Sequence, residues 1–473
     1  MFRLHFCLIP VVTLSIAAAC FAQTEVQARR ASDFVNAMGI NVHLENNATL
    51  PDKDYELVNS ALKALGMRHF RDEINHADKL SPAIFDPVFV HELHRVGSLG
   101  YRLCGVIEGG NDYPLGPTLE ASHVIPMIQS LLPTIDVVEG PNEPDDPNPS
   151  FTYGGQRYPR GAVRESLDLW NIVKGSSKIS DLPVLAMSEG KASDFKKLAK
   201  LKGVPPPSEY TTYGNMHAYQ GGGVGDSGLG GYIRLSQDWT GSEPLWTTEM
   251  GYHNDTNYLS DGEQQGVSER ASAIYLPIAF LSGFNHNIVR TFSYELVNEA
   301  VNPPLTKCSA ADQLRCSGEG YYGLLNYDFT PKPAYTALKN LVELLYDSES
   351  NFAPRALELT FSGAPDSMRY TLLQKSNGDY YLALWNDVSA YQVATCLEFE
   401  NNTCKKSTPG MDIYPPNVPI TVTFSDPQDF SVYALDDASG VKPTGAYTIS
   451  ASPSSIKLEL PPGVLLIKLR GDK

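Results

Sequence analysis

Between residues 39 and 345, short apolar runs alternate with longer segments in which apolar residues recur every three or four positions. Short apolar runs are typical of buried strands, and the longer spacing is typical of helices that pack on one face. The predicted strands cover residues 39–44, 67–72, 101–107, 134–138, 183–187, 213–219, 244–249 and 288–294. The predicted helices cover residues 55–65, 87–98, 117–132, 162–174, 193–201, 268–280 and 333–345.

This alternation predicts a parallel sheet, because a crossover, usually a helix, must carry the chain back before each new parallel strand. Eight such units favour a closed barrel, so we assign residues 23–348 to an α/β domain with a (β/α)8 TIM barrel. In barrels of this kind the active site lies at the carboxyl-terminal ends of the strands. We therefore expect the functional residues at those strand ends.

The pattern changes near residue 349, where apolar and polar positions begin to alternate. The alternating runs cover residues 369–374, 379–384, 420–424, 447–451 and 456–460. Turn sequences such as Ser376-Asn377-Gly378 and Pro461-Pro462-Gly463 separate them. We therefore predict an antiparallel β-sandwich domain over residues 349–473.

The first 22 residues have the pattern of a secretory signal peptide. Arg3 is basic, residues 8–19 are apolar, and small residues precede a cleavage point after Ala22. The apolar run is too short to span a membrane, and no other segment is long and apolar enough. We expect a secreted or periplasmic protein, with a lipid anchor on Cys20 as the alternative.

Cysteine usage agrees with export. Cys308 and Cys316 are eight residues apart, as are Cys396 and Cys404, so each pair can close a short loop in an oxidising compartment. Cys104 lies in an apolar run and is predicted to be a buried free thiol. The sequence has no CxxC pair, no His-rich metal spacing and no EF-hand loop, so we expect neither a metal nor a cofactor.

The charge of the chain argues against one class of partner. The chain has 37 basic and 54 acidic residues, which gives a formal net charge of −17. Nucleic acid and anionic membranes require clustered Lys and Arg. We therefore expect neither as a partner, and the oligomeric state stays open.

Two glutamates stand at the ends of predicted strands. Glu143 follows the fourth strand after a Gly140-Pro141 turn, and Glu249 ends the seventh. A retaining glycosidase needs two carboxyl groups about 5–5.5 Å apart, one as acid and then base, the other as nucleophile on the anomeric carbon. We assign Glu143 as the acid/base and Glu249 as the nucleophile, which together predict cleavage of a β-type glycosidic bond.

The two motifs, Asn142-Glu143-Pro144 and the run Trp-Thr-Thr-Glu-Met-Gly-Tyr at 246–252, resemble those of clan A glycoside hydrolases. In that clan the acid/base follows strand four and the nucleophile follows strand seven. The resemblance covers about residues 33–345 and is nearest to secreted members near families 39, 5 and 79. It implies a cofactor-free enzyme that acts on an oligo- or polysaccharide.

The resemblance also implies roles for residues beside the two glutamates. Asn142 resembles the Asn that hydrogen-bonds the 2-hydroxyl of the sugar. Arg71 resembles the second-strand Arg that orients the nucleophile, with a salt bridge to Asp72 or Glu73 as the alternative.

Further candidates lie on other strands. His217 and Tyr219 end the sixth strand, where the clan places His or Tyr near the nucleophile; a buried core histidine is the alternative for His217. His43 and Asn41 on the first strand are candidate sugar contacts. Trp246, in the nucleophile motif, is a candidate substrate-binding residue as well.

The eighth strand departs from the clan pattern, in which a Trp often lies beneath the sugar. Here Tyr294 or Glu295 takes that position, which leaves the identity of the sugar open. Glu108 and Glu189 follow strands three and five and are interpreted as surface or structural carboxylates. Glu139, four residues before the predicted acid, has no assigned role.

The sequence thus favours a secreted β-glycosidase whose sandwich domain docks against the barrel, with independent sugar binding by the sandwich less favoured. Two rival functions stay open. One is a transglycosylase that uses the same two glutamates, and the other is a non-catalytic carbohydrate-binding protein on the same fold.

Overall fold

The computed structural model describes residues 24–44, 54–74, 87–110, 115–146, 150–256, 264–301, 317–400, 403–435, 442–445 and 448–471. Two predictions lie outside these ranges: the signal peptide at 1–22 and the pairing of Cys308 with Cys316. Among the helices of the described ranges, none combines the length and apolarity needed to cross a membrane.

The predicted (β/α)8 barrel is confirmed. The chain opens with β1 (Thr24–Gln27), β2 (Arg29–Arg30) and α1 (Ala31–Asn36). The barrel strands are β3 (Met38–Asn41), β4 (His69–Glu73), β5 (Arg102–Val106), β6 (Ile135–Glu139), β9 (Val184–Leu185), β10 (Gly214–His217), β11 (Leu245–Met250) and β12 (Arg290–Ser293), with the hairpin β7 (Thr152–Tyr153) and β8 (Gln156–Arg157) after β6. Their order is β10-β11-β12-β3-β4-β5-β6-β9. Backbone bonds from Ala186 N to Tyr213 O (2.9 Å) and from Thr212 N to Val184 O (2.7 Å) join the two ends of the sheet.

Helices surround the barrel. They are α2 (Tyr55–Leu65), α3 (Pro87–Ser98), α4 (Ala121–Ser130), α5 (Arg160–Lys174), α6 (Phe195–Leu198), α7 (Leu229–Thr240), α8 (Glu269–Asn285) and α9 (Pro333–Leu345), with 3-10 turns at Pro207–Glu209 and Gly318–Tyr321. The bounds of α2, α3 and α9 are those predicted. Helix α7 was not predicted, because Gly230 and Gly231 in its first turn each cost about 1 kcal/mol of helix stability. Packing of buried Leu229 and Trp239 on its inner face outweighs that cost.

The antiparallel sandwich is also confirmed. Its strands are β13 (Ala356–Ser362), β14 (Met368–Gln374), β15 (Tyr380–Asn386), β16 (Tyr391–Gln392), β17 (Thr395–Glu400), β18 (Thr403–Thr408), β19 (Met411–Asp412), β20 (Val418–Phe424), β21 (Phe430–Ala434), β22 (Thr448–Ser452), β23 (Ser455–Leu460) and β24 (Leu465–Leu469). The two five-stranded sheets have the orders β1-β13-β20-β23-β22 and β2-β14-β15-β24-β21. The amino-terminal strands β1 and β2, which the predicted boundaries group with the barrel, therefore complete the sandwich.

The predictions for three of the cysteines are confirmed. Cys396 and Cys404 form a disulfide across the β17–β18 hairpin, with a Cα–Cα distance of 5.7 Å. Cys104 is a free, buried thiol on β5. Burial raises the pKa of this thiol well above its ordinary value, so it stays protonated and unreactive.

The sandwich docks on α8 and α9 of the barrel. Fully buried Trp385 of β15 belongs to the same apolar cluster as the barrel core. Arg29 of β2 donates a hydrogen bond to the carbonyl of Phe284 at the end of α8 (2.5 Å), and the Asn340 side chain of α9 donates to the carbonyl of Leu435 (2.9 Å). The barrel and this face of the sandwich sheet therefore share one core, and the interior of the sandwich forms a second.

Because Trp385 fills that shared core, Trp385→Ala should lower the free energy of unfolding by about 3–5 kcal/mol. The matched control is Leu397→Ala, since Leu397 is 57 % exposed and its truncation should cost about 0.5 kcal/mol or less. Denaturant titrations of the two variants measure the difference. Equal losses would show that the junction contributes no packing energy.

Candidate active site

The side chain of Arg71, on β4, lies inside the carboxyl-terminal end of the barrel and is 5 % exposed. All five of its N–H groups have acceptors. Nε donates to Glu139 Oε2 (2.7 Å), Nη1 to Glu249 Oε1 (2.7 Å) and Asn41 Oδ1 (3.0 Å), and Nη2 to Glu139 Oε1 (3.0 Å) and Asn142 Oδ1 (2.7 Å). The predicted bond to the nucleophile candidate is thus present, and no N–H group is left for Asp72 or Glu73.

Glu139, at the end of β6, is the acid that accepts two hydrogen bonds from Arg71 and fixes its guanidinium group. It is fully buried. Besides the two bonds from Arg71, its Oε1 accepts hydrogen bonds from Asn215 Nδ2 (2.8 Å) and Thr248 Oγ1 (3.0 Å). Sequence reasoning missed this role, although Glu139 is an ionisable residue in an otherwise apolar strand, and such a residue needs a buried partner.

Glu249 is held as an ionised carboxylate. Its Oε1 accepts a bond from Arg71 and its Oε2 accepts one from the Tyr219 hydroxyl (2.6 Å). Burial alone would raise the pKa of Glu249, but the charges of His217 and Arg71 and these hydrogen bonds lower it below its ordinary value. A bulge in β11 contributes to the geometry: the pairing with β10 skips Thr248, which points to Glu139 while Glu249 reaches the barrel end.

Glu143 stands in the loop after β6 with a φ of 42°, a left-handed conformation that residues other than Gly rarely adopt. Its side chain is about one-third exposed, and its Oε1 lies 2.6 Å from His217 Nδ1. Gly190 lies against the other side of the carboxyl group. A Cβ at that position would lie 2.9 Å from the carboxyl carbon of Glu143, so a glycine leaves the room that the acid occupies.

His217 links the two glutamates. It is fully buried at the end of β10, and its Nδ1 is 2.6 Å from Glu143 and 3.5 Å from Glu249. Burial lowers the pKa of His217, but the negative charges of Glu249 and Glu143 and the hydrogen bond to Glu143 raise it above its ordinary value. One oxygen of each carboxylate and a ring nitrogen of His217 all lie within 4.8 Å of one another.

Two asparagines brace this centre. Asn142 receives the Arg71 bond on Oδ1, and its backbone N–H donates to Glu108 (2.7 Å). Asn41, which is 2 % exposed, donates its amide to the carbonyls of Thr248 (3.0 Å) and Ser293 (3.3 Å). The structure thus places Asn41 as a brace for Arg71.

Tyr294 and His43 line the same cleft. Their rings meet edge to face with centroids 5.6 Å apart. Of the two residues considered for the end of the eighth strand, Tyr294 faces the cleft. Glu295 is 1 % exposed, and its Oε2 lies 3.0 Å from His43 Nε2. Sequence reasoning missed Tyr322, whose ring contacts those of Tyr294 and Tyr219 at 5.5 and 5.6 Å.

Trp246 requires a correction, since the structure does not bring it to the cleft. It is 4 % exposed and packs inside the barrel on Phe292, with ring centroids 6.0 Å apart. It lies three positions before Glu249 on β11, which corresponds to about 10 Å along the strand. It therefore forms part of the barrel floor.

Glu108 and Glu189 are structural carboxylates and not surface ones. They are 2 % and 0 % exposed. Glu108 accepts the Asn142 backbone N–H, and Glu189 accepts the Tyr158 hydroxyl at 2.8 Å. Burial, and then nearby acids, raises the pKa of both well above the ordinary value.

The described residues form a cleft of about 930 Å³ over these groups. Its walls include the candidate residues Asn41, His43, Arg71, Asn142, Glu143, Tyr219, Glu249 and Tyr294. They also include Glu73, Tyr232, His253, Glu319 and Tyr322, which were not predicted to bind substrate. The cleft opens at the carboxyl-terminal strand ends, where the barrel fold places active sites.

Within the part of the chain that the structure describes, three groups of side chains have ligand atoms close enough to hold a metal ion: Glu143, His217 and Glu249; His43, Glu295 and Glu299; and Asp145, Glu189 and Asp194. In the first group Arg71 already lies 2.7 Å from Glu249, and in the third Lys197 lies 2.7 Å from Asp194. Each of these positive charges opposes a cation in its group.

The fold is shared with solved glycoside hydrolases. A family 39 glycoside hydrolase from Bacteroides cellulosilyticus aligns over 92 % of this chain and 82 % of its own, with a TM-score of 0.53 and 16 % identity. A glucosidase from Croceicoccus marinus aligns over 95 % of this chain and 97 % of its own, with a TM-score of 0.55 and 10 % identity. No protein-family model and no curated protein sequence matches the chain. The predicted resemblance to the glycoside hydrolase barrel is therefore confirmed in its architecture.

Because the charge of Glu249 raises the pKa of His217, Glu249→Gln should move the His217 titration to lower pH. In the wild type, the stability that His217 contributes should be complete below the ordinary histidine pKa and lost as pH rises through the higher folded-state value. Proton NMR of the imidazole follows this titration, with His217→Asn to assign the signal. Glu343→Gln, an exposed charge on α9, is the control and should leave it unchanged. An unchanged titration in Glu249→Gln would contradict the contact.

Proposed function

We propose that the protein is a secreted retaining glycoside hydrolase that cleaves a β-type glycosidic bond of an oligo- or polysaccharide. The observation that carries this proposal is the pair Glu143 and Glu249, with carboxylate oxygens within 4.8 Å of each other across His217. Retaining enzymes hold their carboxyl groups about 5–5.5 Å apart, whereas inverting enzymes leave about 6.5–9.5 Å for a water molecule. The signal pattern and the Cys396–Cys404 disulfide support export.

In the first step, the Glu249 carboxylate attacks the anomeric carbon while the Glu143 carboxyl gives its proton to the leaving-group oxygen. The bond between the anomeric carbon and that oxygen breaks, an alcohol leaves, and the sugar becomes an ester of Glu249. The lowered pKa of Glu249 keeps the nucleophile ionised beforehand. Arg71 donates a hydrogen bond to its Oε1 and Tyr219 donates one to its Oε2. Because both oxygens are held, the carboxylate needs little reorientation before it attacks.

In the second step, water attacks the anomeric carbon, Glu143 accepts a proton from that water, and the Glu249 carboxylate leaves. Esterified Glu249 carries no charge. In the intermediate, therefore, the pKa of His217 loses the contribution with which the Glu249 carboxylate raises it. The Nδ1 of His217 is bonded to Glu143 Oε1, which leaves Oε2 for the substrate oxygen. We assign His217 as a positioning residue for the acid/base.

The remaining cleft residues bind the sugar in this proposal. Asn142 uses Oδ1 on Arg71, so its Nδ2 is the group that can donate to a hydroxyl of the sugar. The rings of Tyr294 and Tyr322 offer apolar faces for the sugar ring beside Glu249.

Replacement of the two glutamates tests the proposal. On a panel of aryl β-glycosides, Glu249→Gln should lower kcat by about 10⁴-fold or more for every substrate. Glu143→Gln should lower it by about 10²–10⁴-fold for poor leaving groups and much less for good ones, which need no proton. Glu343→Gln is the control for a remote loss of the same charge. A Glu249→Gln variant that turns over at the wild-type rate would refute the mechanism.

Gly190 provides an independent test of the acid. The Cβ of Gly190→Ala should displace the Glu143 carboxyl and lower kcat by about 10²-fold for poor leaving groups, with little loss for good ones. Gly230→Ala is the control, because a Cβ there meets nothing within 4 Å. Equal losses for both kinds of leaving group would show that Gly190 affects folding and not proton transfer.

A further inference from the structure

The described walls of the cleft carry more acids than bases. The acidic residues are Asp72, Glu73, Glu143, Asp145, Asp146, Glu249 and Glu319, and the basic residues are Arg71, Lys191, His43 and His253. The two catalytic candidates account for only part of this excess. The electrostatic potential of a concave site acts on any charged substrate group that enters it.

The basic side chains of these walls that a substrate carboxylate could reach are Lys191 and, when it is protonated, His43. Arg71 has used all five of its N–H groups on protein acceptors. Burial lowers the pKa of His253 to about 4, so this ring is neutral near pH 7. Lys191 is solvent-exposed, and Asp145 lies beside it, accepting its backbone N–H at 3.0 Å. An acidic sugar would therefore meet more acidic than basic side chains in these walls.

Glu319 is one of the acids placed to contact a sugar beside the nucleophile. Its side chain opens onto the cleft, and its Oε1 accepts a hydrogen bond from the Tyr294 hydroxyl at 2.5 Å. The ring of Tyr294 contacts that of Tyr322, which in turn contacts that of Tyr219. The Tyr219 hydroxyl donates a hydrogen bond to Glu249, so these three tyrosines connect Glu319 with the nucleophile. The Tyr294 bond fixes one oxygen of Glu319 and leaves Oε2 for a ligand.

We propose that the sugar bound beside Glu249 carries a free amino group, and that Glu319 binds its ammonium form. This inference rests on the proposed glycosidase function, whose substrate class it names. An ammonium group donates up to three charge-assisted hydrogen bonds and complements the acidic wall. An N-acetylated amine has no charge, and a uronic acid has the wrong one, so both should be poor substrates.

Rates on matched aryl glycosides test the proposal. With 4-nitrophenyl β-D-glucosaminide, kcat/KM should exceed that with the β-D-glucoside by about 10- to 100-fold, and the N-acetylglucosaminide and glucuronide should be slower than both. The galacto-configured amino and hydroxy pair is run in parallel, so that a requirement for one C4 configuration does not hide the preference. The preference should shrink as salt is added, since ions screen the attraction.

Glu319→Gln keeps an acceptor for Tyr294 and removes the charge. It should bring the kcat/KM ratio of glucosaminide to glucoside close to one, mostly through a higher KM for the amino sugar, and this ratio cancels any loss that the two substrates share. Glu343→Gln, at an exposed position on α9, removes the same charge far from the cleft and should leave the preference intact. A glucoside that reacts as well as the glucosaminide would overturn the inference, as would a preference that survives in Glu319→Gln.

The test separates this inference from the proposed function. Turnover of the glucoside without an amino-sugar preference rejects only the substrate class. If no aryl glycoside is cleaved, the glycosidase proposal fails, and calorimetric titration of the wild type with D-glucosamine, D-glucose and D-glucuronate decides the charge preference instead. Tighter binding of glucosamine that is lost in Glu319→Gln supports a cationic site, and equal binding of the three sugars rejects it.

Discussion

The site depends on one buried guanidinium. A charge in the barrel interior is costly unless its partners are fixed and its hydrogen-bond groups are satisfied, and Arg71 meets both conditions through five bonds. Those bonds join β3, β4, β6 and β11 through Asn41, Arg71, Glu139 and Glu249. Because Arg cannot be discharged at any working pH, it holds the carboxylate beside it in the ionised form.

Much of the fold follows from the sequence, and so does the position of Glu143 and Glu249 at the same end of the barrel. Continuous apolar runs can only be satisfied in a sheet covered on both faces, so the eight barrel strands were predictable. The strands β1 and β2 were not, because two to four residues carry no periodic signal and only pairing with β13 and β14 makes them strands. Trp246 was misplaced because spacing along a strand does not tell whether a ring faces the floor or the mouth of the barrel.

Glu139 illustrates the limit of motif reasoning. Its neighbours in sequence, Asn142 and Glu143, belong to a motif with an expected chemistry, whereas its own role arises only from long-range contacts with Arg71, Asn215 and Thr248. The excess of acidic residues in the cleft was not predictable from the sequence either. Glu73 and Glu319 come from distant parts of the chain and meet only when the barrel closes.

The most direct test of the account is the identity of the residue that becomes covalently bound to sugar. A 2-deoxy-2-fluoro aryl β-glycoside slows the second step, so the ester should accumulate and survive proteolysis for mass spectrometry. The account predicts one label, on Glu249, and none in Glu249→Gln. A label on any other residue, or on Glu249→Gln protein at the same level, would contradict it.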